Sequence, residues 1–272
     1  MEMPDAPVAA IVDLLQSMAT LAEAEMRAGL ARPLEANPKE SPHDLVTPVD
    51  RAIEAEMRRM VAARFPDHAF LGEEAGTSGG GPWQWVVDPV DGTTNYANGL
   101  PIACSSLAVL HAGRAVAAAI VDPYRGERFL AVRGRGATLN GITMRVKRRP
   151  AGISGGLVLC ELPGGKPWPG LPELAAFVDR QGATLRMLGS GALATAEVAA
   201  GRADAVVHVG PHPWDVAAGC LLVAEAGGEV TGWSGTAAFD LFGGGPMLAG
   251  APAACTLLRQ RLAGLEGGSV HA

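Results

Sequence analysis

From Val8 to Ala31 apolar residues recur at Ile11, Leu14, Leu15, Met18, Leu21 and Met26, the spacing of one face of an α-helix. Pro33 to Ser41 breaks the pattern. Thr47-Pro48 then reads as an N-cap with proline at the first helical position and predicts a helix to about Phe65. Short apolar runs follow, divided by glycines: Ala69 to Gly72, Gln84 to Asp88, Ile102 to Leu110, Arg114 to Val121, Arg128 to Val132 and a piece near Thr138. They predict strands of an antiparallel sheet, with the glycine-rich stretch Gly76 to Gly81 as a loop. From about Gly155 the rhythm changes. Strands are predicted at Leu157 to Leu162, Thr184 to Leu188, Ala205 to Val209, Glu229 to Thr231 and Met247 to Ala249. Helices alternate with them at Leu171 to Arg180, Ala192 to Ala200, Trp214 to Ala226 and Pro252 to Leu265. An α+β half over residues 1–150 is therefore expected to precede an α/β half over residues 151–272.

The informative break lies at Trp85-Val-Val-Asp-Pro-Val-Asp-Gly-Thr-Thr-Asn-Tyr96, where an apolar run stops at Asp88 and Asp91. Pro89 and Gly92 oppose simple continuation of the strand, so the acids are expected at its end, with Asp91 capping a short helix begun by Gly92 and Thr93. Asp-Pro and Asp-Gly are common turn dipeptides, and this segment alone would read as a surface turn. Two other segments change that. Leu71-Gly-Glu-Glu74 sets Glu73 and Glu74 after a predicted strand, and Pro213-Trp-Asp-Val-Ala-Ala-Gly219 sets Asp215 at the front of an apolar helix. The set is one of hard oxygen donors, suited to Mg²⁺, with no matching cluster of thiols and imidazoles.

Those three segments, together with Lys39-Glu-Ser-Pro-His-Asp-Leu-Val-Thr-Pro-Val-Asp50, resemble the signatures of the inositol monophosphatase family: Mg²⁺-dependent, lithium-sensitive phosphomonoesterases. The resemblance runs in order over nearly the whole chain and implies a layered αβαβα sandwich of the sugar phosphatase type. It implies that Glu73, Asp88, the carbonyl of Val90 and the hydroxyl of Thr93 bind one ion, and that Asp88, Asp91 and Asp215 surround a second. A third ion would rest near Glu73, supported by Lys39 and Glu74; Mn²⁺ could substitute for Mg²⁺. The water's proton would pass to Thr93 backed by Asp50, with Glu73 assisting. Gly92, Thr93 and Thr94 would contact the substrate. Gly189-Ser190-Gly191 lies after a predicted strand and before a predicted helix, a place suited either to backbone contact with substrate hydroxyls or to a plain strand-to-helix turn. Where inositol-specific members carry a glutamate before the Trp-Asp pair, this chain has His208, which opens the pocket to other polyol or sugar phosphates, or to a substrate with an extra anionic group. The alternative for His208 is packing at a strand end. His212 and Trp214 are expected to orient and anchor the helix that carries Asp215.

The formal charge of -6 and the absence of any basic run longer than Lys147-Arg148-Arg149 argue against a nucleic-acid surface. Acids occupy the N-terminus where a secretory signal needs positive charge, and no apolar stretch approaches the roughly 20 residues of a membrane span, so a cytoplasmic protein is expected. Cys104, Cys160, Cys220 and Cys255 lie far apart in apolar contexts and read as buried thiols. Family members are commonly homodimers, and the apolar strand Ala115 to Val121 could serve such an interface or the core. Three functions stay open: a phosphatase of inositol or related phosphates; the same chemistry on histidinol phosphate, fructose 1,6-bisphosphate or a 3'-phosphoadenosine nucleotide; and a catalytically silent polyol-phosphate-binding regulator.

Overall fold

The structure is a computed structural model describing residues 5–30, 36–39, 45–149, 152–162, 168–233, 235 and 239–265. The expected boundary between residues 150 and 151, and residues 40–44 of the segment that begins at Lys39, lie outside the described residues. Helices α1 (Asp5–Leu30) and α2 (Pro48–Arg64) open the chain, with short strands β1 (Asn37–Pro38) and β2 (Leu45–Val46) between them. Thr47 caps α2 as its sequence predicts: its hydroxyl accepts from the amide of Val49, and its own amide donates to Asp50 in the first turn. Asp50, Ile53, Glu54, Met57 and Val61 are the buried face of α2, so two carboxylates one turn apart point inward.

Eight strands form the first large sheet: β3 (Ala69–Gly72), β4 (Gly76–Ser78), β5 (Trp83–Asp91), β6 (Cys104–His111), β7 (Arg114–Asp122), β8 (Glu127–Val132), β9 (Gly136–Leu139) and β10 (Ile142–Thr143). Their order is β10-β9-β8-β7-β6-β5-β3-β4, antiparallel throughout except where β3 lies parallel to β5. A one-turn helix, α3 (Thr93–Ala97), follows β5. The second half contributes β11 (Leu157–Glu161), α4 (Leu171–Arg180), β12 (Thr184–Arg186), α5 (Gly191–Ala199), β13 (Ala205–His208), α6 (Pro213–Glu225), β14 (Glu229–Gly232), β15 (Met247–Gly250) and α7 (Pro252–Leu262). Its five strands run β12-β11-β13-β15-β14, with β11 parallel to both neighbours.

Alternating residues of the first sheet feed two cores. Trp85, Val87, Ala117, Ala119 and Val121 pack with α1 and α2, while Val86, Ala108, Ala118 and Ile120 join the core of α5 and α6. Helices α5 and α6 also contact β13, β14 and β15, and α4 and α7 lie against β12 and β15. The layers are thus αβαβα. Strand β7 has α1 and α6 against it, which makes the run Ala115 to Val121 core of this chain. Among the described residues no helix is long and apolar enough to cross a membrane.

Two local expectations fail. Gly76–Ser78, expected as loop, pairs antiparallel with Phe70–Gly72 as β4. Strand β5 passes through Pro89 to Asp91, with a register irregularity against β6 between Asp88 and Asp91. The pairing of β3 with β5 ends at Val87, so Pro89 sits where one side of the ladder is already free and its missing N–H interrupts little.

Candidate metal and active site

That irregularity delivers the acids. Asp88 and Asp91 end β5, and Asp215 projects from the first turn of α6, where its Oδ2 accepts from the amide of His212 at 2.8 Å. The His212 ring stacks on Trp214 at 4.8 Å, and Ser106 on β6 donates to the Trp214 carbonyl, so the start of α6 is tied to the first sheet. One carboxylate oxygen from each of Asp88, Asp91 and Asp215 lies within 4.8 Å of the others. Asp88 is 3 % exposed, and its Oδ1 is buried with no hydrogen-bond partner among the described residues. Burial raises the pKa of Asp88 well above the carboxylate range, and the negative charges of Glu73, Asp91 and Asp215 raise it further. Burial likewise raises Asp215, helped by Asp91. Like charges held together away from water, with an oxygen left unsatisfied, are an arrangement that a divalent cation resolves.

Asp91 does not cap α3. The N-cap there is Gly92, in the left-handed region at φ 86°, and it makes no side-chain cap bond. Asp91 turns instead to the start of α5, accepting from Ser190 Oγ at 2.5 Å and the Ala192 amide at 2.8 Å on Oδ2, and from the Gly191 amide at 3.2 Å on Oδ1. These donors offset part of the burial that raises its pKa. Gly92 is where the two halves touch: a Cβ there would lie 2.9 Å from the Ile102 carbonyl, 3.1 Å from that of Gly189 and 3.1 Å from Ser190 Cβ.

Thr93 Oγ1 lies 2.8 Å from the Val90 carbonyl and 3.1 Å from Asp50 Oδ1. Asp50 Oδ2 accepts from the Thr47 hydroxyl, and burial raises the Asp50 pKa. Sequence-distant Asp50 and Thr93 are therefore in contact. Lys39 donates to Glu73 at 2.7 Å and Glu74 at 2.5 Å. Burial alone would lower the Lys39 pKa, but the two glutamates raise it above that of an ordinary lysine. Burial raises Glu74 to about 7 against the pull of Lys39. Thr94 is exposed on α3.

Two expected substrate residues have buried side chains. The Ser190 side chain is 1 % exposed and is used by Asp91. His208, 2 % exposed, has Nε2 2.9 Å from the Thr195 hydroxyl and lies under Gly191, whose missing Cβ would come 3.0 Å from its Cε1. Burial lowers the His208 pKa to about 3, so the imidazole is neutral and brings no positive charge for an extra anionic group.

Other polar residues at the site carried no motif. Glu54 accepts from the amides of Glu74 and Ala75 and from Arg58, which holds the Glu73-Glu74 turn against α2; a Cβ at Gly72 would strike that carboxylate. Its sequence signal was the spacing of four from Asp50 on one helix face. Ser105 donates to the Asp88 carbonyl, and the buried thiol of Cys104 approaches Asp91 Oδ2 at 3.6 Å. Neither has a sequence signal beyond its place in a strand.

The chain resembles Nus factor SuhB of Pseudomonas aeruginosa at 40 % identity over 210 residues, covering 72 % of this chain and 75 % of that protein. An inositol monophosphatase from Anabaena (Nostoc) sp. PCC 7120 superposes with a TM-score of 0.83 at 30 % identity, covering 95 % of this chain and 97 % of that one. An IMPase/NADP phosphatase solved with Mg²⁺ and phosphate superposes at 0.81 with 25 % identity, over 96 % of this chain and 98 % of that one. Residues 6–263 match the model of the inositol monophosphatase family, and the chain belongs to that family.

Proposed function

We propose that this protein is a Mg²⁺-dependent phosphomonoesterase of inositol monophosphate or a related polyol or sugar phosphate, with Mn²⁺ able to replace Mg²⁺. The observation that carries the reading is the convergence of Asp88, Asp91 and Asp215 around a buried, unpartnered Asp88 Oδ1. The similar IMPase/NADP phosphatase was solved with Mg²⁺ and phosphate, which supports the choice of ion and of substrate class. When bound, divalent cations neutralise the charge of a phosphate monoester and lower the pKa of coordinated water.

In this reading Glu73, Asp88, the Val90 carbonyl and Thr93 Oγ1 would hold one ion, Asp88, Asp91 and Asp215 would hold a second, and Lys39 and Glu74 would support a third. Asp50 takes up a proton relayed by Thr93: its Oδ1 faces the threonine hydroxyl, while Thr47 keeps Oδ2 in place. A raised pKa suits a carboxylate that must receive a proton. Backbone of Gly92, Thr93 and Thr94 cradles the phosphate, and Gly191 contacts the substrate. The neutral His208 behind Gly191 favours an uncharged polyol or sugar moiety over a second anionic group. Lithium is expected to inhibit by competing for the second ion's ligands.

The test is phosphate release in Mg²⁺ across inositol monophosphates, sugar bisphosphates, histidinol phosphate and adenosine bisphosphates. Mg²⁺-dependent release led by the inositol and polyol phosphates is expected. No release from any of them, with Mg²⁺ or Mn²⁺, would favour the silent binding protein instead.

A further inference from the structure

The turn Leu188-Gly189 precedes the α5 start that holds Asp91, and side chains from both halves of the protein grip it. From the first half, Asn95 on α3 donates one amide hydrogen to the Leu188 carbonyl at 2.8 Å and the other to the Ile102 carbonyl at 2.9 Å. From the second half, Glu161 at the end of β11 accepts the Leu188 amide at 2.7 Å on Oε1 and the Gly189 amide at 3.0 Å on Oε2. Both carboxylate oxygens and both amide hydrogens are used. The turn is thus held from its carbonyl side by one half and from its N–H side by the other. Gly189 is required between them, since its φ is +72° and a Cβ would come 3.1 Å from Asn95 Nδ2.

Packing holds only part of this turn, since Leu188 is half-buried against the core and Gly189 is exposed. Leu188, Ile102, Leu157, Leu159 and Leu193 border a cavity of about 220 Å³ on one side of it. A turn with open space beside it keeps its position through its hydrogen bonds. Its next residues are Ser190, Gly191 and Ala192, the donors to both oxygens of Asp91. Displacing the turn would move all of them together, and with them the orientation of that carboxylate.

We propose that Asn95 and Glu161 are positioning residues, which clamp the Leu188-Gly189 turn from opposite sides and so hold the α5 start, and through it Asp91, in the geometry that binds the second ion. Their hydrogen bonds go to backbone atoms of Ile102, Leu188 and Gly189, and neither belongs to the proposed metal or substrate residues. The proposal rests on the reading of Asp91 as a metal ligand, and its test separates the two.

Mn²⁺ binding is titrated by electron paramagnetic resonance on the whole protein, alongside phosphate release and thermal melting. Asn95→Asp, close in size but without the donors, and Glu161→Gln, close in size but one acceptor poorer, are each expected to weaken the second Mn²⁺ about 10-fold to 100-fold, the range for residues that orient metal ligands. The first Mn²⁺ should bind as in the unmodified protein. Turnover at saturating substrate should fall while KM changes little, and raising Mn²⁺ should restore part of it, a rescue that general loosening of the fold would not give. The double variant should lose less than the product of the single losses, because both act on one turn. If a single variant unfolds, Gly189→Ala displaces the same turn and should weaken the same ion. Asp91→Asn is the control: normal binding of both ions in that variant would overturn the reading of Asp91 itself. Loss of the second ion in Asp91→Asn with unmodified binding in Asn95→Asp, Glu161→Gln and Gly189→Ala would overturn the clamp alone.

Discussion

Two regions of this protein gather buried and half-buried carboxylates, and they treat them in opposite ways. Around the hairpin of β7 and β8, Asp122, Glu127 and Glu197 are matched by Arg125 and Arg202: Arg125 reaches all three acids within 3.1 Å, and Arg202 binds Glu127 and Glu197. The Asp122 side chain is fully buried there, yet it also accepts two backbone amides, and Arg202 draws the Glu127 pKa down. At the end of β5, by contrast, Asp88, Asp91 and Asp215 face one another with no arginine among the described residues, Lys39 serves the glutamates at the margin, and burial drives the aspartate pKa values up. Charge neutralised within the chain serves structure; charge left unneutralised away from water destabilises the fold by itself and marks where something outside the chain must bind.

The largest effect should come from Asp88→Asn. Removing this charge should lower turnover by about 100-fold or more, because in the proposed function Asp88 serves both ions. The same change should raise the melting temperature of the metal-free protein, since repulsion is relieved and no hydrogen bond to Oδ1 is broken. A metal-free variant that melts lower than its parent would erase the contrast between the two regions.

Next in size is the response of the metal-free protein to pH. The folded aspartates have raised pKa values, so the folded state binds more protons than the unfolded one between the ordinary carboxylate range and those raised values. Stability should therefore fall as pH rises through that interval, and Mg²⁺ should remove most of the fall by binding only the folded state. Melting curves at several pH values, with chelator and with Mg²⁺, check the sign.

Arg202→Gln probes the opposite region. It unpairs part of Glu127 and Glu197 on a half-exposed surface, and denaturant unfolding should show a loss of about 1 kcal/mol. Mn²⁺ affinity should not change. Lys39→Met should have the smallest effect: a few-fold fall in turnover at limiting Mg²⁺ that disappears at high Mg²⁺, measured as a shift in the Mg²⁺ dependence of phosphate release.

The same contrast explains how much could be read from the sequence. The helix from Leu171 to Arg180 and the strand from Ala69 to Gly72 follow from apolar period and punctuation alone, because each is decided by its own residues. Asp88, Asp91 and Asp215 were legible as donors because acids interrupt apolar runs there. Partnership was not legible. That Asp91 is held by α5 and not by α3, that β5 passes through Pro89, and that Glu54 and Glu161 hold backbone turns all depend on contacts between segments remote in the chain. His208 shows the same limit: its sequence position left open a wider pocket, an extra anionic group or packing at a strand end, and only the structure shows it buried beneath Gly191 beside the Thr195 hydroxyl, where burial lowers its pKa.

The most direct test of the account is a crystal soaked in Mn²⁺, with diffraction recorded at the manganese absorption edge. Anomalous peaks within bonding distance of Asp88, Asp91 and Asp215 are predicted; an ordered site whose anomalous map is flat over those side chains would contradict it.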